Sequence, residues 1–130
     1  THLHEGNRAS ASQAPVNAIL AFERNWQKRF TEFAPHAVAA QKFFEDEGER
    51  IPLGRLCAQV QAGYFITAVR ALGLDAGPIT GADFEAIAAD AVLLGGQDQQ
   101  PFLVVNIGYG LGPFRERGVR FSFEQTTRTV

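Results

Sequence analysis

The chain has 130 residues, of which 45% are hydrophobic and 20% are charged, and its formal net charge at pH 7 is -2. These values are typical of one globular domain with a real core, and they indicate neither a disordered chain nor a membrane protein. A near-neutral chain offers no basic face for nucleic acid, so we expect a single domain over residues 1–130 that binds neither nucleic acid nor membrane.

The cysteine and the histidines of the chain bear on three kinds of chemistry: disulfide formation, thiol catalysis and metal binding. Cys57 is the only cysteine, so no disulfide can form within the chain and we expect a reducing compartment, hence a cytoplasmic protein. A buried, inert thiol is favoured over a nucleophile, because nothing near Cys57 in sequence would activate it. His2, His4 and His36 have no partners at metal-ligand spacing, so we expect no metal site. The chain starts at Thr1 and contains no methionine, which indicates that an initiating segment is missing from the sequence.

The first half of the chain predicts a strand and then two short helices. The run "APVNAILAF", Ala14–Phe22, is apolar throughout and predicts a strand that is buried on both faces. Between Asn25 and Gly48 the sequence is aromatic-rich and interrupted by Pro35, which predicts two short helices, the second carrying Phe43 and Phe44. The acidic cluster that follows is typical of a solvated helix end rather than of acid/base catalysis. Its members are Glu45, Asp46 and Glu47.

A long core helix is predicted from about Leu53 to Leu72. Its apolar positions recur at four-residue spacing. They are Leu56, Val60, Tyr64 and Ala68, with Phe65 and Val69 beside them. Gly63 lies in the middle of this helix, where it suggests close packing against another backbone. Gly73 suits the left-handed position after a helix end, with Leu74 as the hydrophobic residue that closes such a cap.

The last third predicts one more helix and two strands. Asp83 begins a capped helix, and after a loop over residues 95–100 the run "PFLVVNIGYG" predicts a second buried strand. The segment "GVRFSFEQ" places Val119, Phe121 and Phe123 on one face, which predicts a strand with one covered face. Helices and strands together predict an α+β fold, with a sheet packed against the long helix.

Two segments are candidate binding sites on the residues alone. The glycines of "GYGLGP" have no helix-forming run behind them, so a dinucleotide fingerprint is not expected. Arg115 and Arg117 would share one side of an extended segment and could converge on a phosphate, although a solvated turn explains them equally well. In "GPITG", residues 77–81, flanking glycines free the backbone to approach a flat ligand, and a simple helix-strand-helix junction is the equal alternative.

Several stretches resemble one known family. They are "EGNRASASQAPVNAILAFE", "RALGLDAGPITGADFEAI", "FLVVNIGYG" and "RERGVRFSFEQ". The sequence is similar to the nitroreductase family of FMN-dependent NAD(P)H oxidoreductases, and within it to the malonic semialdehyde reductases of pyrimidine breakdown. The G-L-D-x-x-P-[ILM]-x-G element is the most specific part of the match, and residues 25–50 are the weakest.

The resemblance implies a cofactor site. Asn7 would contact the pyrimidine side of the isoalloxazine, and Arg115 and Arg117 would hold the FMN phosphate. One face of the ring would be lined by Pro78, Ile79, Thr80 and Gly81, with the backbone N–H of Thr80 or Gly81 near flavin N5. No side chain would act as a nucleophile, since the protein supplies position, ring electrostatics and a dry pocket. Phe43 or Phe44 could contribute to that pocket, although a core role is favoured for both.

The resemblance also implies an activity and a partner. Hydride would pass from NADH or NADPH to FMN and then, by ping-pong, to an electron-poor acceptor such as a nitroarene, a quinone or a small aldehyde like malonic semialdehyde. The fold would be a mostly antiparallel sheet flanked by helices in a homodimer with FMN at the interface. The family's N-terminal third, with its own phosphate and flavin motif, is absent from the sequence. The alternative is therefore a truncated, non-catalytic member that keeps the dimer core and binds FMN weakly or not at all.

Overall fold

The computed structural model describes residues 2–94, 98–112 and 116–130, and these form the predicted α+β fold. The α-helices are α1 (Glu5–Gln13), α2 (Phe30–Phe33), α3 (Glu47–Ala71), α4 (Phe84–Ala89) and α5 (Phe123–Thr126). The strands are β1 (Val16–Glu23), β2 (Asp75–Ile79) and β3 (Gln99–Gly108). Two 3₁₀ segments, Trp26–Arg29 and Pro35–Phe44, flank α2. Within the described ranges, no helix is both long and apolar enough to cross a membrane.

The three strands form one antiparallel sheet in the order β1-β3-β2. The predicted second buried strand is the central one, and its residue Val105, paired with both Ala18 and Pro78, is 0% exposed. The predicted first strand is present, but only Phe22 in it is fully buried. A position at the edge of this sheet leaves β1 partly open to solvent, so the expectation of burial on both faces was wrong.

A bulge in β3 determines which side chains of this strand lie on each face of the sheet. Leu20 pairs with Leu103 and Ala21 with Pro101, so Phe102 is the extra residue. An inserted residue reverses the alternation of side chains beyond it. Phe102 and Leu103 therefore both belong to the cluster on the α3 face of the sheet.

A hydrophobic cluster lies on each face of the sheet. On one face, α1 and α4 pack over the sheet around a set of buried residues. These are Ala11, Ile79, Ile87, Leu94 and Val104. On the other face α3 contributes Ala62, which packs with Phe22 and Phe102. The predicted packing of the sheet against the long helix is confirmed.

The long helix starts earlier than predicted. It begins at Glu47 instead of Leu53, because the Asp46 carboxylate accepts hydrogen bonds from the backbone N–H groups of Gly48 (2.7 Å) and Glu49 (3.3 Å). The acidic cluster is thus a solvated helix end, as expected, and one of its members is the N-cap.

The face of α3 that packs on the sheet is the opposite of the one predicted. Ala62 and Val69 are buried, whereas Leu56, Val60 and Tyr64 are exposed, Tyr64 by 75%. The four-residue stripe is real but exposed, whereas Val69, predicted beside the stripe, is buried as expected, together with Ala62.

Two smaller expectations about α3 also fail. Apart from its chain neighbours and the backbone of α3 itself, no described atom lies within 4 Å of the position that a Cβ on Gly63 would occupy, so the suggested close packing is not made within the described chain. Cys57 is exposed rather than buried, because it lies on a side of α3 that does not face the sheet.

The end of α3 is as predicted. Gly73 has φ +81°, and its N–H donates to the carbonyl of Arg70 at 3.0 Å. The N–H of Leu74 donates to the carbonyl of Val69 at 3.3 Å. These two bonds form a complete Schellman cap, which ends the helix and starts β2.

The predicted C-terminal strand is wrong. Residues 116–122 pair with no strand in the described chain, and α5 starts within the predicted strand. Ser122 and Gln125 form a capping box, which favours a local helical turn. Val119, Phe121 and Phe123 are all exposed, Val119 by 98%, because no other element covers the face on which their alternation places them.

The predictions for residues 25–48 and for Asp83 are confirmed. Helical segments end before and resume at Pro35, and the second carries Phe43 and Phe44. The Asp83 carboxylate accepts from the N–H of Ala86 at 2.9 Å and caps α4.

Candidate functional site

Two residues implied by the resemblance are in direct contact although they are far apart in sequence. The Asn7 side-chain amide on α1 donates a 3.0 Å hydrogen bond to the carbonyl of Gly81. The same carbonyl accepts a 3.0 Å hydrogen bond from the backbone N–H of His4. The fold therefore joins the start of α1 to the end of the "GPITG" element.

That element runs along an edge of the described sheet. Pro78 pairs with Val105 of β3, and since proline has no N–H, its nitrogen faces the open edge. Thr80 directly follows the end of β2. The Pro78 and Thr80 side chains are exposed. These two residues thus present a surface of exposed backbone and short side chains.

Ile79 differs from its neighbours. Its side chain is only 8% exposed and packs in the cluster with Val104 and Ile87. Its backbone pairs with Val104 of β3, so by the alternation along an antiparallel strand it faces the neighbouring strand and not the open edge. Burial of the Ile79 side chain in the hydrophobic core therefore fixes the position of this edge.

Gly81 is a position that requires glycine for lack of space. A Cβ built there would overlap the Asn7 side-chain amide and would approach the His4 ring nitrogen Nδ1 to 3.4 Å. The bare backbone that the sequence suggested is thus explained by the packing of Asn7 and His4 against it.

The residues before α1 contact the segment after β2 through a β-bridge, backbone hydrogen bonds and a side-chain hydrogen bond. Leu3 forms an isolated antiparallel bridge with Ala82, and the N–H of Asp83 donates to the carbonyl of His2 at 2.8 Å. The His2 ring nitrogen Nε2 lies 3.0 Å from an Asp90 carboxylate oxygen. This hydrogen bond, together with one from the N–H of Val92, lowers the pKa of the Asp90 carboxyl.

The structure describes only one of the two arginines predicted to hold the phosphate. Arg115 lies outside the described residues. Arg117 is exposed in the extended stretch that precedes α5, and none of the described hydrogen bonds joins it to Asn7 or Gly81. The chain before this stretch is anchored at Gly110, whose N–H donates to the Asp75 carboxylate at 2.7 Å.

An aromatic cleft lies between α3 and residues 26–44. Its volume is about 530 Å³. The lining includes Trp26, Phe30, Phe33, Phe44, Gly54 and Cys57. Phe44 stacks against the Phe30 ring at 5.8 Å and lies 4.9 Å from the Trp26 ring. Phe43, by contrast, is 75% exposed. Phe44 is thus both a packed residue and a wall of the cleft, and Phe43 is neither.

The sequence and its resemblance singled out Asn7 and residues 78–81 but not the contacts between these segments and their neighbours. His2 and Asp90 are 88 residues apart, and no spacing or motif connects such a pair. The only local signal nearby was the N-cap Asp83, which marks the start of α4 but not what packs against it.

The architecture is that of the nitroreductase-like α+β fold. A nitroreductase family protein of known structure from Streptococcus pneumoniae superposes with a TM-score of 0.77 at 19% identity, over 98% of this chain and 70% of that one. A Staphylococcus epidermidis structure, named as a candidate NAD(P)H:FMN oxidoreductase, gives a TM-score of 0.69 at 17% identity, over 92% of this chain and 63% of that one.

Other relatives are closer in sequence than these two solved structures. A Streptomyces coelicolor protein named as a candidate NADH dehydrogenase/NAD(P)H nitroreductase is 39% identical over 99% of this chain and 65% of its own length. A Leptothrix cholodnii protein with the same name is 39% identical over 94% of this chain and 62% of its own length. No protein-family model matches the chain. The chain belongs to the nitroreductase family, and it spans less than two thirds of the length of these relatives.

Proposed function

We propose that the chain functions in an FMN-dependent oxidoreductase that transfers hydride from NADH or NADPH to an electron-poor acceptor. The acceptor classes are nitroarenes, quinones and small aldehydes such as malonic semialdehyde, and donor and acceptor would use the site in turn. The names of the relatives and of the S. epidermidis structure support an NAD(P)H-linked reductase. Within it, residues 1–130 would act as one nitroreductase-like domain.

One observation carries the proposal: the hydrogen bond between Asn7 and Gly81 at the open edge of β2. It brings together two residues that the resemblance assigned to the same flavin ring. The edge beside it presents the exposed Pro78 and Thr80 side chains, a surface that suits a flat ring. The residues present therefore fit the proposed cofactor.

Each residue has a distinct proposed role. Asn7 would donate to the pyrimidine side of the ring, and the backbone of residues 78–81 would lie against its face, with the Thr80 or Gly81 N–H near N5. Arg115 and Arg117 would bind the phosphate. FMN, when bound, supplies the two-electron hydride chemistry. The protein positions both substrates against it and excludes water.

We also propose a homodimer in which α3 meets a second copy of the chain. The exposed Leu56, Val60 and Tyr64 form an apolar stripe on the face of α3 opposite the sheet. An apolar stripe of this kind on a packed helix is typical of an interface. The exposed Val119 and Phe121 of the C-terminal segment add a second apolar surface that a partner could cover.

The first test is the visible absorption spectrum of the purified chain, before and after FMN is added. We expect an oxidised-flavin band that survives desalting or that appears on titration. A chain that shows no band and binds no FMN would contradict the proposal and favour the non-catalytic alternative.

Two variants assign the roles. Asn7→Ala should weaken binding of both FMN and riboflavin about tenfold, the effect of losing one hydrogen bond in a dry site. Ser12→Ala on the same helix, where the hydroxyl only donates to the Ala9 carbonyl, is the matched control.

Replacing Arg115 and Arg117 by alanine should weaken binding of FMN but not of riboflavin, which has no phosphate. Equal losses for the two flavins would refute the phosphate assignment.

A further inference from the structure

A series of contacts joins residues 2–7 to residues 81–90 beside the candidate site, and the contact between His2 and Asp90 is the one farthest from Gly81. Asp90 directly follows α4, and its other carboxylate oxygen accepts a 3.0 Å hydrogen bond from the N–H of Val92. The carboxylate is thus fixed to the backbone of its own loop. His2 and Asp90 are both about two-thirds buried, with side-chain exposures of 29% and 31%.

From this contact to the site, the links are successive backbone pairings. The carbonyl of His2 accepts from Asp83, the next residue pairs with Ala82, and the N–H of His4 donates to Gly81. One turn further on, the Asn7 amide donates to the same Gly81 carbonyl. Because pairing of this kind fixes the register of the two segments, a shift at His2 is passed on to Asn7.

We propose that His2 and Asp90 are a positioning pair, whose contact sets the place of Asn7 against Gly81 and makes the geometry of the site depend on pH. What binds at the site follows from the proposed function, whereas the coupling itself is a property of the chain alone.

The charge on His2 determines the strength of the contact. A neutral imidazole with its proton on Nε2 donates an ordinary hydrogen bond, whereas an imidazolium donates a charge-assisted bond that is roughly twice as strong. Histidine side chains ordinarily titrate near pH ~6.5. The lowered pKa of Asp90 keeps its carboxylate charged well below that pH. The contact should therefore be strongest in mildly acidic solution and weaken as the pH rises through neutrality.

Other charged groups on the packed elements have different partners or positions. On the α1 side, Arg8 donates to the carbonyl of Leu3, and Glu5 lies in the first turn of the helix. On the α4 side, Asp83 caps its own helix, and Glu85 lies in the first turn. The His4 ring also lies near Gly81, so its effect has to be separated from that of His2.

The first test needs no cofactor. NMR resonances of the Gly81 amide and of the Asn7 side-chain amide are followed from pH 5 to 8.5, together with the ring protons of His2. We expect the three to titrate with one midpoint. The common titration should disappear in His2→Gln and Asp90→Asn, and persist in His4→Gln and in the control His36→Gln on an exposed 3₁₀ segment. Titration of Gly81 and Asn7 that survives Asp90→Asn would overturn the proposal.

The second test measures binding of riboflavin, which lacks a titrating phosphate. Its affinity for the wild-type chain should fall about fivefold from pH 6 to pH 8, as expected for loss of a charge-assisted bond. His2→Gln should remove this dependence, and His2→Arg, charged throughout, should keep tight binding at both pH values. A wild-type chain that binds no riboflavin would contradict the proposed function while the NMR titration still decides the coupling.

Discussion

At the residue scale, the candidate site depends on the absence of a side chain at Gly81. Asn7 and His4 both reach the Gly81 carbonyl, and the space where a side chain would begin is already filled by them. A glycine at such a position is usually explained by its conformational freedom, but Gly81 does not have a positive φ. Its requirement is steric, and it comes from a helix more than 70 residues away in the chain.

Two glycine-to-alanine variants, four residues apart in the chain, test this requirement. Gly81→Ala should cost about 1–3 kcal/mol of unfolding free energy, because the methyl group would force Asn7 out of its place. Gly77→Ala, where a Cβ would lie 3.7 Å from Asn106 Cβ in ordinary contact, should change stability little. Urea unfolding of both variants measures the difference. Equal free energies of unfolding would show that Asn7 does not pack on Gly81 in solution.

At the element scale, one buried arginine joins residues 26–44 to α3. Arg50 is 5% exposed, and its guanidinium donates to the carbonyls of Arg24, Phe44 and Glu45 and pairs with Glu47. Residues 26–44 have only short helices, which are marginal in isolation. Their position beside α3 therefore depends on this residue and on the aromatic contacts.

Removing the guanidinium should loosen that segment. Arg50→Met should cost about 2–4 kcal/mol, since it leaves several carbonyls of a buried network without donors. Arg55→Met on the exposed part of α3 is the matched control. The fluorescence of Trp26, the only tryptophan, reports directly because its ring N–H donates to the Arg50 carbonyl at 3.1 Å. A Trp26 signal that melts identically in the two variants would contradict this role.

At the scale of the whole molecule, the exposed apolar stripe of α3 allows a direct test of the proposed dimer. Val60→Glu places a charge in the middle of the stripe and should convert the proposed dimer to a monomer, since an unpaired charge at an apolar interface is costly. Gln59→Glu, the adjacent exposed residue, adds the same charge and should leave the dimer intact. Light scattering after size-exclusion chromatography measures both. A wild-type chain that is monomeric at all concentrations would refute the dimer.

Acid should destabilise the molecule partly through Asp90. Its pKa is lowered by the hydrogen bond from His2, so its contribution is present above the unfolded pKa of about 3.9 and is lost as the pH falls through the lower folded value. The melting temperature of the wild-type chain should therefore fall more steeply between pH 5 and pH 3 than that of Asp90→Asn. Glu85→Gln, on the exposed side of α4, should keep the wild-type slope.

The sequence by itself determined the features that depend on neighbouring residues. The Schellman cap at Gly73, the N-cap at Asp83, the break at Pro35 and the buried strand of residues 101–108 follow from short-range hydrogen bonding and side-chain size. The resemblance added the "GPITG" edge and Asn7 as parts of one site, and the fold does bring Asn7 to Gly81.

Only the tertiary structure decided which surfaces meet. Periodicity shows that α3 has an apolar stripe, but both faces of this helix carry apolar residues, and the sheet took the side with the small Ala62. Alternation at residues 118–125 is compatible with a strand, yet no described strand pairs with it and a local capping box prevails. The fastening of His2 to Asp90 depends on the three-dimensional path of the chain over 88 residues, and contacts at such separation leave no pattern in a single sequence.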